Sequence, residues 1–185
     1  MEIALDIVIS VVSLAVVAAY TWSLRGHFSS KKMPDGAKVI SLVVTTTTIA
    51  FLFLMWSQTQ PLWAQTAGLA LELGAAALFW WAITASRKAR LRFAFDHENP
   101  DSLVTTGPYA YLRHPFYTSY LMFWSGWALA TASVWSIVPV AFFVAIYVSA
   151  ARNEERKFSA TTLAPEYEDY RRRTGFLWPR LFPAK

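Results

Sequence analysis

Charged residues divide the chain into a few long apolar runs, and the spacing of those breaks predicts the architecture. Three runs, residues 3–20, 39–56 and 62–85, each hold at most one acid and reach the about 18 to 20 residues that a helix needs to cross a bilayer core. Two more, 116–130 and 134–149, are shorter. Only Thr131, Ala132 and Ser133 separate them, so they read as a tight helical hairpin. The pattern therefore predicts an all-α, polytopic membrane protein. Its five transmembrane helices are expected over 3–22, 38–57, 62–85, 115–131 and 134–150, within a single integral membrane domain spanning 1–185. Polar segments follow at 86–114 and 151–185, the second helix-prone as far as residue 173.

Composition agrees with that pattern: 55% of the 185 residues are hydrophobic and 16% aromatic, which fits the membrane class. Charge adds an orientation. If the helices alternate, all 17 Lys and Arg fall on one side: Arg25, Lys31, Lys32 and Lys38 in the first connection, Arg87, Lys88, Arg90, Arg92 and Arg113 in the third, and the rest from Arg152 onward. The opposite side has the uncharged stretch Ser57, Gln58, Thr59, Gln60. The positive-inside rule then places the N-terminus outside and the C-terminus in the cytoplasm. A cleaved leader would begin with basic residues, whereas this chain begins with Glu2 and Asp6, so the first run is expected to be retained. The basic balance is accounted for by anionic lipid headgroups, without nucleic acid. Absence of a retention signal and the short chain favour a bacterial inner membrane.

There is no cysteine, which excludes disulfides, thiolate nucleophiles and Cys-ligated metals, and His27, His97 and His114 lie in different connections, a poor metal set. The Thr45 to Thr48 hydroxyls are expected to bond back one turn within the second helix. Glu72 sits near the centre of the third helix beside Gly68 and Gly74. A carboxyl at that depth must find a partner, stay protonated or line a cavity, so a substrate role and a structural bond both remain open. Residues 87–95 alternate basic and aromatic side chains, as an interfacial segment does.

The densest chemistry is the stretch TTGPYAYLRHPFYTSY, residues 105 to 120, at the mouth of the fourth helix. Gly107-Pro108 signals a turn, and Pro115 opens the apolar run in the first helical position, which suits proline. His114 then lies at the N-cap, where free N–H groups and the helix dipole favour an anion. Tyr117 and Tyr120 follow on one face. Because the hairpin is tight, Glu154 and Glu155 must emerge close to His114. Adjacent helical positions point about 100° apart, so one carboxylate is expected to face the site and the other to turn to solvent or an Arg. Singly, such residues are ordinary for a membrane interface, where Tyr, Trp and Arg collect.

The ordered combination Gly107-Pro108-Tyr109-x-Tyr111-x-Arg113-His114-Pro115-x-Tyr117, a tight helix pair, Glu154-Glu155 and then Tyr167-x-x-Tyr170-Arg171-Arg172 resembles the isoprenylcysteine carboxyl methyltransferases and their phospholipid methyltransferase relatives. The resemblance covers roughly residues 100 to 180. It implies an integral membrane enzyme that transfers a methyl group from S-adenosylmethionine to a lipophilic acceptor, either an isoprenylcysteine-like carboxylate or a lipid headgroup, at the cytoplasmic face. By position it implies cofactor contacts from Asp101, Ser102, Leu103, Val104, Tyr109, His114, Pro115, Phe116, Tyr117 and Glu154. It implies catalytic roles for Arg113, His114 and Glu155. In carboxyl methyltransferases of this type an Arg one turn before the Glu pair meets the substrate carboxylate; here that position is Ala150, and the nearest basic residue is Arg152. Arg152 and Glu72 are the substrate candidates. An ammonium acceptor must lose a proton before it attacks, and His114, Glu155 and Glu72, in that order, are the candidate bases.

Two other classes share the pattern. Membrane sterol and enone reductases have a similar C-terminal arrangement and use NADPH, for which Arg171 to Arg173 could hold a 2′-phosphate; the Glu pair favours the sulfonium cofactor instead. A non-catalytic membrane protein that retains the fold would bind neither.

Overall fold

The computed structural model describes residues 2–26, 35–87 and 103–180, and every regular element among them is helical. In chain order these are α1 (Glu2–Gly26), α2 (Asp35–Ser57), α3 (Leu62–Ser86), a 3-10 turn (Gly107–Ala110), α4 (Pro115–Thr131), a second 3-10 turn (Val134–Ser136), α5 (Ile137–Phe158) and α6 (Ala164–Arg173). Four are long and apolar enough to cross a membrane: α1, α2, α3 and the rod Val134–Phe158 that contains α5. The short helix of the expected five is α4, whose 17 residues extend about 25 Å against a hydrocarbon core of roughly 30 Å. Apolar side chains such as Ile3, Leu42, Phe53 and Val138 stand exposed on the outer faces, as helices bathed in lipid require.

Several helix ends differ from the sequence expectation, α1 running on to Gly26 and α2 starting at Asp35, and the largest difference is in α5. α5 does not end near residue 150 but continues unbroken to Phe158, carrying Glu154 and Glu155 on helix. The charged residues 152–157 mark the end of the apolar layer, not of the helix, because Arg, Glu and Lys are themselves good helix formers. The basic segment expected at 87–95 and the following loop lie, apart from Arg87, outside the described residues.

α1 and α3 pair through a repeating polar contact. Gln65 donates to Asp6 Oδ1 at 2.6 Å, and Ser13 donates to Glu72 Oε2 at 2.8 Å, both across a sequence offset of 59. One step further along the same offset, the Tyr20 and Phe79 rings meet edge to face at 4.7 Å. Positions 6, 13 and 20 are two turns apart, so a single α1 stripe reads a single α3 stripe in register. Thr45 and Thr46 bond back to Ser41 and Leu42 carbonyls as expected, whereas Thr48 Oγ1 is buried without a hydrogen-bond partner among the described residues.

α3 and α4 approach most closely where Gly68 faces Gly126. A Cβ on Gly68 would lie 2.5 Å from the Gly126 carbonyl oxygen and 2.7 Å from Ala130 Cβ. Replacing Gly68 by Leu forces the helices apart, and we expect a loss of about 1–3 kcal/mol or more. A thermal unfolding midpoint in detergent that does not move would contradict this packing. Beyond that contact, Trp124 stacks on Phe143 at 4.5 Å, Phe51 meets Trp127 edge to face at 5.5 Å, and Phe143 lies parallel to Tyr147 at 5.8 Å. This aromatic column fixes α4 against α5, and it ends at the cluster described next.

Candidate active site

Pro115 occupies the first turn of α4 and His114 its N-cap, as the sequence predicts. The chain arrives there through the 3-10 turn, which Gly107 enters at φ 62°, a left-handed value suited to glycine. On the other side of the site, residues 174–180 form a strap that returns across the mouth of α4. Arg113 N–H donates to Gly175 O at 2.8 Å, Gly175 N–H to Tyr111 O at 3.0 Å, and Thr118 Oγ1 to Leu177 O at 2.9 Å. A side chain at Gly175 would collide with the Trp178 carbonyl, so glycine is needed for the strap to turn.

Four ionisable side chains meet between α4, α5 and the strap. Arg113 Nε donates to Glu155 Oε1 at 2.6 Å, and its Nη1 donates to the carbonyls of Arg171 at 3.1 Å and Thr174 at 2.5 Å. His114 stands between the two acids, with Nδ1 3.3 Å from Glu154 Oε2 and Nε2 3.3 Å from Glu155 Oε1. Tyr117 O–H donates to Glu154 Oε1 at 3.1 Å. The Phe176 ring closes over the group, 5.2 Å from the imidazole and 5.7 Å from the Arg113 guanidinium carbon.

Both carboxylates therefore face His114, where the sequence reading expected one to turn away. The imidazole lies between the two directions and presents a nitrogen to each, so the angular separation along α5 is bridged. The expected Arg partner is also present, since Glu155 holds Arg113.

Burial alone pulls the His114 pKa down, but Glu154 and Glu155 on its two nitrogens outweigh burial and hold the imidazole above its ordinary value. A group raised on folding stabilises fully below its unfolded pKa of about 6.5, and that contribution disappears as pH climbs through the folded value. We therefore expect the unfolding midpoint to fall as pH rises above neutrality and His114→Gln to flatten that slope. Equal slopes in both proteins would show that His114 carries no such charge.

The remaining predicted residues divide by location. Phe116 points to α3, meeting Phe79 edge to face at 5.6 Å, and Val104 packs against the same small apolar cluster as Tyr109. Leu103 is half-buried, Pro115 is buried, and Asp101 and Ser102 lie outside the described residues. Tyr109 Oη is buried beside Ser86, whose hydroxyl also donates to Ala82 O at 2.6 Å. Arg152 projects to solvent, and Ala150 is buried. Glu72 is not brought to the cluster. It neighbours Gly126, which lies some three turns, about 17 Å, along α4 from its N-cap. Its Oε2 is held by Ser13, and its Oε1 is buried without a partner among the described residues.

Several contributors escape sequence reasoning. Thr174, Gly175, Phe176 and Leu177 form the strap, and only the sequence Thr-Gly-Phe, a turn signal after a charged helix, hints at it. Tyr147 stacks on Tyr117 at 5.6 Å and supports it from α5. Tyr170, part of the motif, ties α6 to the 3-10 turn, because its O–H donates to Tyr109 O at 2.8 Å.

The arrangement suits a cationic ligand. Glu154 is the most exposed member, 30% open at its side chain, and each of its oxygens retains a lone pair beyond its present contact. Tyr117, whose ring stacks on His114 and Tyr147, lies beside it. Among the described residues no group of three or more His, Cys, Asp or Glu gathers as a metal site.

Residues 63–165, more than half of the chain, match the family described as phospholipid methyltransferase. Two curated relatives are similar over shorter stretches. One is the nickel-cobalt-cadmium resistance protein NccN of Alcaligenes xylosoxydans xylosoxydans, 38% identical over 80 residues, which are 43% of this chain and 37% of that protein. The other is the cobalt-zinc-cadmium resistance protein CzcN of Cupriavidus metallidurans, 39% identical over 83 residues, 44% of this chain and 37% of that one. The chain thus matches little more than a third of the length of these relatives.

Proposed function

The chain belongs to the phospholipid methyltransferase family, and from that premise we propose that it transfers a methyl group from S-adenosylmethionine to a lipophilic acceptor at the membrane face that carries Arg113, His114, Glu154 and Glu155. The observation that carries this reading is the partly open Glu154 carboxylate, fixed by Tyr117 and His114, whose rings stack on each other beside it. When bound, the cofactor's sulfonium supplies the methyl group: the carbon–sulfur bond breaks as the bond to the acceptor forms, and a neutral thioether remains.

The chain's own residues bind, orient and exclude water. Glu154 offers negative charge to the ammonium or sulfonium of the cofactor, and Tyr117, backed by Tyr147, offers a ring face. His114, held between two acids that favour its charged form, serves as a positioning residue that orients both carboxylates. Arg113 neutralises Glu155 and anchors the strap, and Phe176 on that strap covers the group from water. With Ala150 at the carboxylate-reading position and Arg113 committed to three acceptors, an amine headgroup suits the site better than a carboxylate. The proton released by an ammonium acceptor would leave through Glu154.

Calorimetric titration of the purified chain with S-adenosylmethionine and with NADPH tests the reading. Binding of the sulfonium compound alone supports it, whereas binding of NADPH alone assigns the site to a reductase. The acceptor's apolar tail is proposed to arrive between helices from the bilayer; affinity that ignores tail length would contradict lateral access.

A further inference from the structure

Arginines on the α6 side of the molecule fall into two groups. Arg171 and Arg172 lie 3.6 and 3.8 Å from Glu168, and Arg113 is paired with Glu155. Arg173 and Arg180 have no carboxylate partner among the described residues. Their guanidinium groups are instead steered by main-chain carbonyls, Arg173 Nε donating to Asp169 O at 3.2 Å and Arg180 Nη1 to Arg172 O at 2.7 Å. Carbonyl contacts fix the direction of a guanidinium without cancelling its charge.

Both arginines line an open groove of about 390 Å³, together with Thr105, Tyr111, Tyr170 and Thr174. The Tyr170 and Thr174 hydroxyls are spent on Tyr109 O and Tyr170 O. The donors left to the groove are therefore the two guanidinium groups with the hydroxyls of Thr105 and Tyr111. Planar guanidinium forks beside hydroxyls match a tetrahedral oxyanion, and the volume admits a small headgroup.

The level of the groove identifies the source of that anion. Its wall residue Tyr111 packs against Trp81 at the end of α3, with ring centroids 6.2 Å apart and both rings exposed. Trp178, 83% exposed, stands two residues before Arg180. Exposed Trp and Tyr at helix ends mark the headgroup layer of a bilayer. None of the residues lining the groove belongs to the Glu154 cluster.

We propose that this groove is a binding site for the phosphate ester of an anionic membrane lipid, held by Arg173 and Arg180 beside the reaction site. A lipid there clamps α6 and the strap to the 3-10 turn. The inference rests on the sulfonium reading of the neighbouring site, since NADPH would claim Arg173 for its 2′-phosphate, an outcome that the NADPH titration reads separately.

Native mass spectrometry of the full chain, released from detergent containing dioctanoyl phosphatidylglycerol, reads the site directly. The unmodified chain should retain one such lipid roughly tenfold or more tightly than the Arg173→Gln/Arg180→Gln double variant. The charge-matched Arg156→Gln/Arg172→Gln variant should retain it as the unmodified chain does, with inorganic phosphate at equal concentration unable to displace it. Equal retention by the two double variants overturns the site. Displacement by inorganic phosphate overturns the lipid assignment, since the anion would then be a soluble one.

Discussion

Replacing Glu154 by Gln lowers the affinity for S-adenosylmethionine by about tenfold or more, the loss of roughly 1.5–3 kcal/mol that follows when a hydrogen bond to a charged group becomes a neutral one. The change keeps the shape of the side chain, and the Tyr117 hydroxyl can still donate to the amide oxygen, so the packing of α4 on α5 survives. What disappears is the negative charge facing the opening. The demethylated product, whose sulfur is neutral, should therefore lose less affinity than the methylated cofactor. Calorimetry with both compounds separates a charge effect from a general disturbance: an equal loss for the two would show that Glu154 acts on another part of the ligand.

Replacing Arg113 by Ala has the larger effect on stability. The guanidinium ties Glu155 to the carbonyls of Arg171 in α6 and Thr174 in the strap and lies against Phe176, with side chains 9% exposed for Arg113 and 14% for Glu155. Removing it leaves Glu155 nearly buried and short of positive charge. The cost of breaking such a pair is about 3–5 kcal/mol, and the slight exposure of Glu155 places this case at the lower end. The thermal midpoint should fall by on the order of 10 °C. Arg113→Lys retains the charge but has no planar fork to reach Glu155 and both carbonyls, so its midpoint should fall between the two. A lysine variant as stable as the unmodified chain would reduce the role of Arg113 to charge alone.

These effects rest on features that the sequence exposes unevenly. Long uncharged runs make α2, α3 and α4 legible almost to the residue, because a bilayer imposes length and polarity together. The sequence also brings His114 and the Glu pair near one another, since the short connection between the last two apolar runs leaves no other geometry. The length of α5 is hidden because charge marks where a helix leaves lipid and says little about where it stops. Glu72 illustrates a different limit. Its partner Ser13 sits on α1, 59 positions away, and only the observed pairing shows that the spacing of Asp6, Ser13 and Tyr20 has a counterpart on α3. The strap at 174–180 has neither periodicity nor an apolar run, and its place is set by main-chain hydrogen bonds to Tyr111 and Arg113, which no side-chain pattern reports.

Glu154 and Glu155 are adjacent in the sequence motif, and the structure gives them different environments. Glu155 is neutralised by Arg113, whereas Glu154 keeps an open edge toward the bulk. That division is the physical basis for assigning ligand binding to one acid and architecture to the other.

Methyl transfer itself is the most direct test. The full chain, reconstituted in vesicles of bacterial lipid, would be incubated with S-adenosylmethionine labelled in its methyl group, and the organic extract counted. The account predicts label in the lipid fraction that depends on the chain and is reduced in the Glu154→Gln variant; an extract that stays unlabelled while the cofactor demonstrably binds would contradict methyl transfer to a lipophilic acceptor.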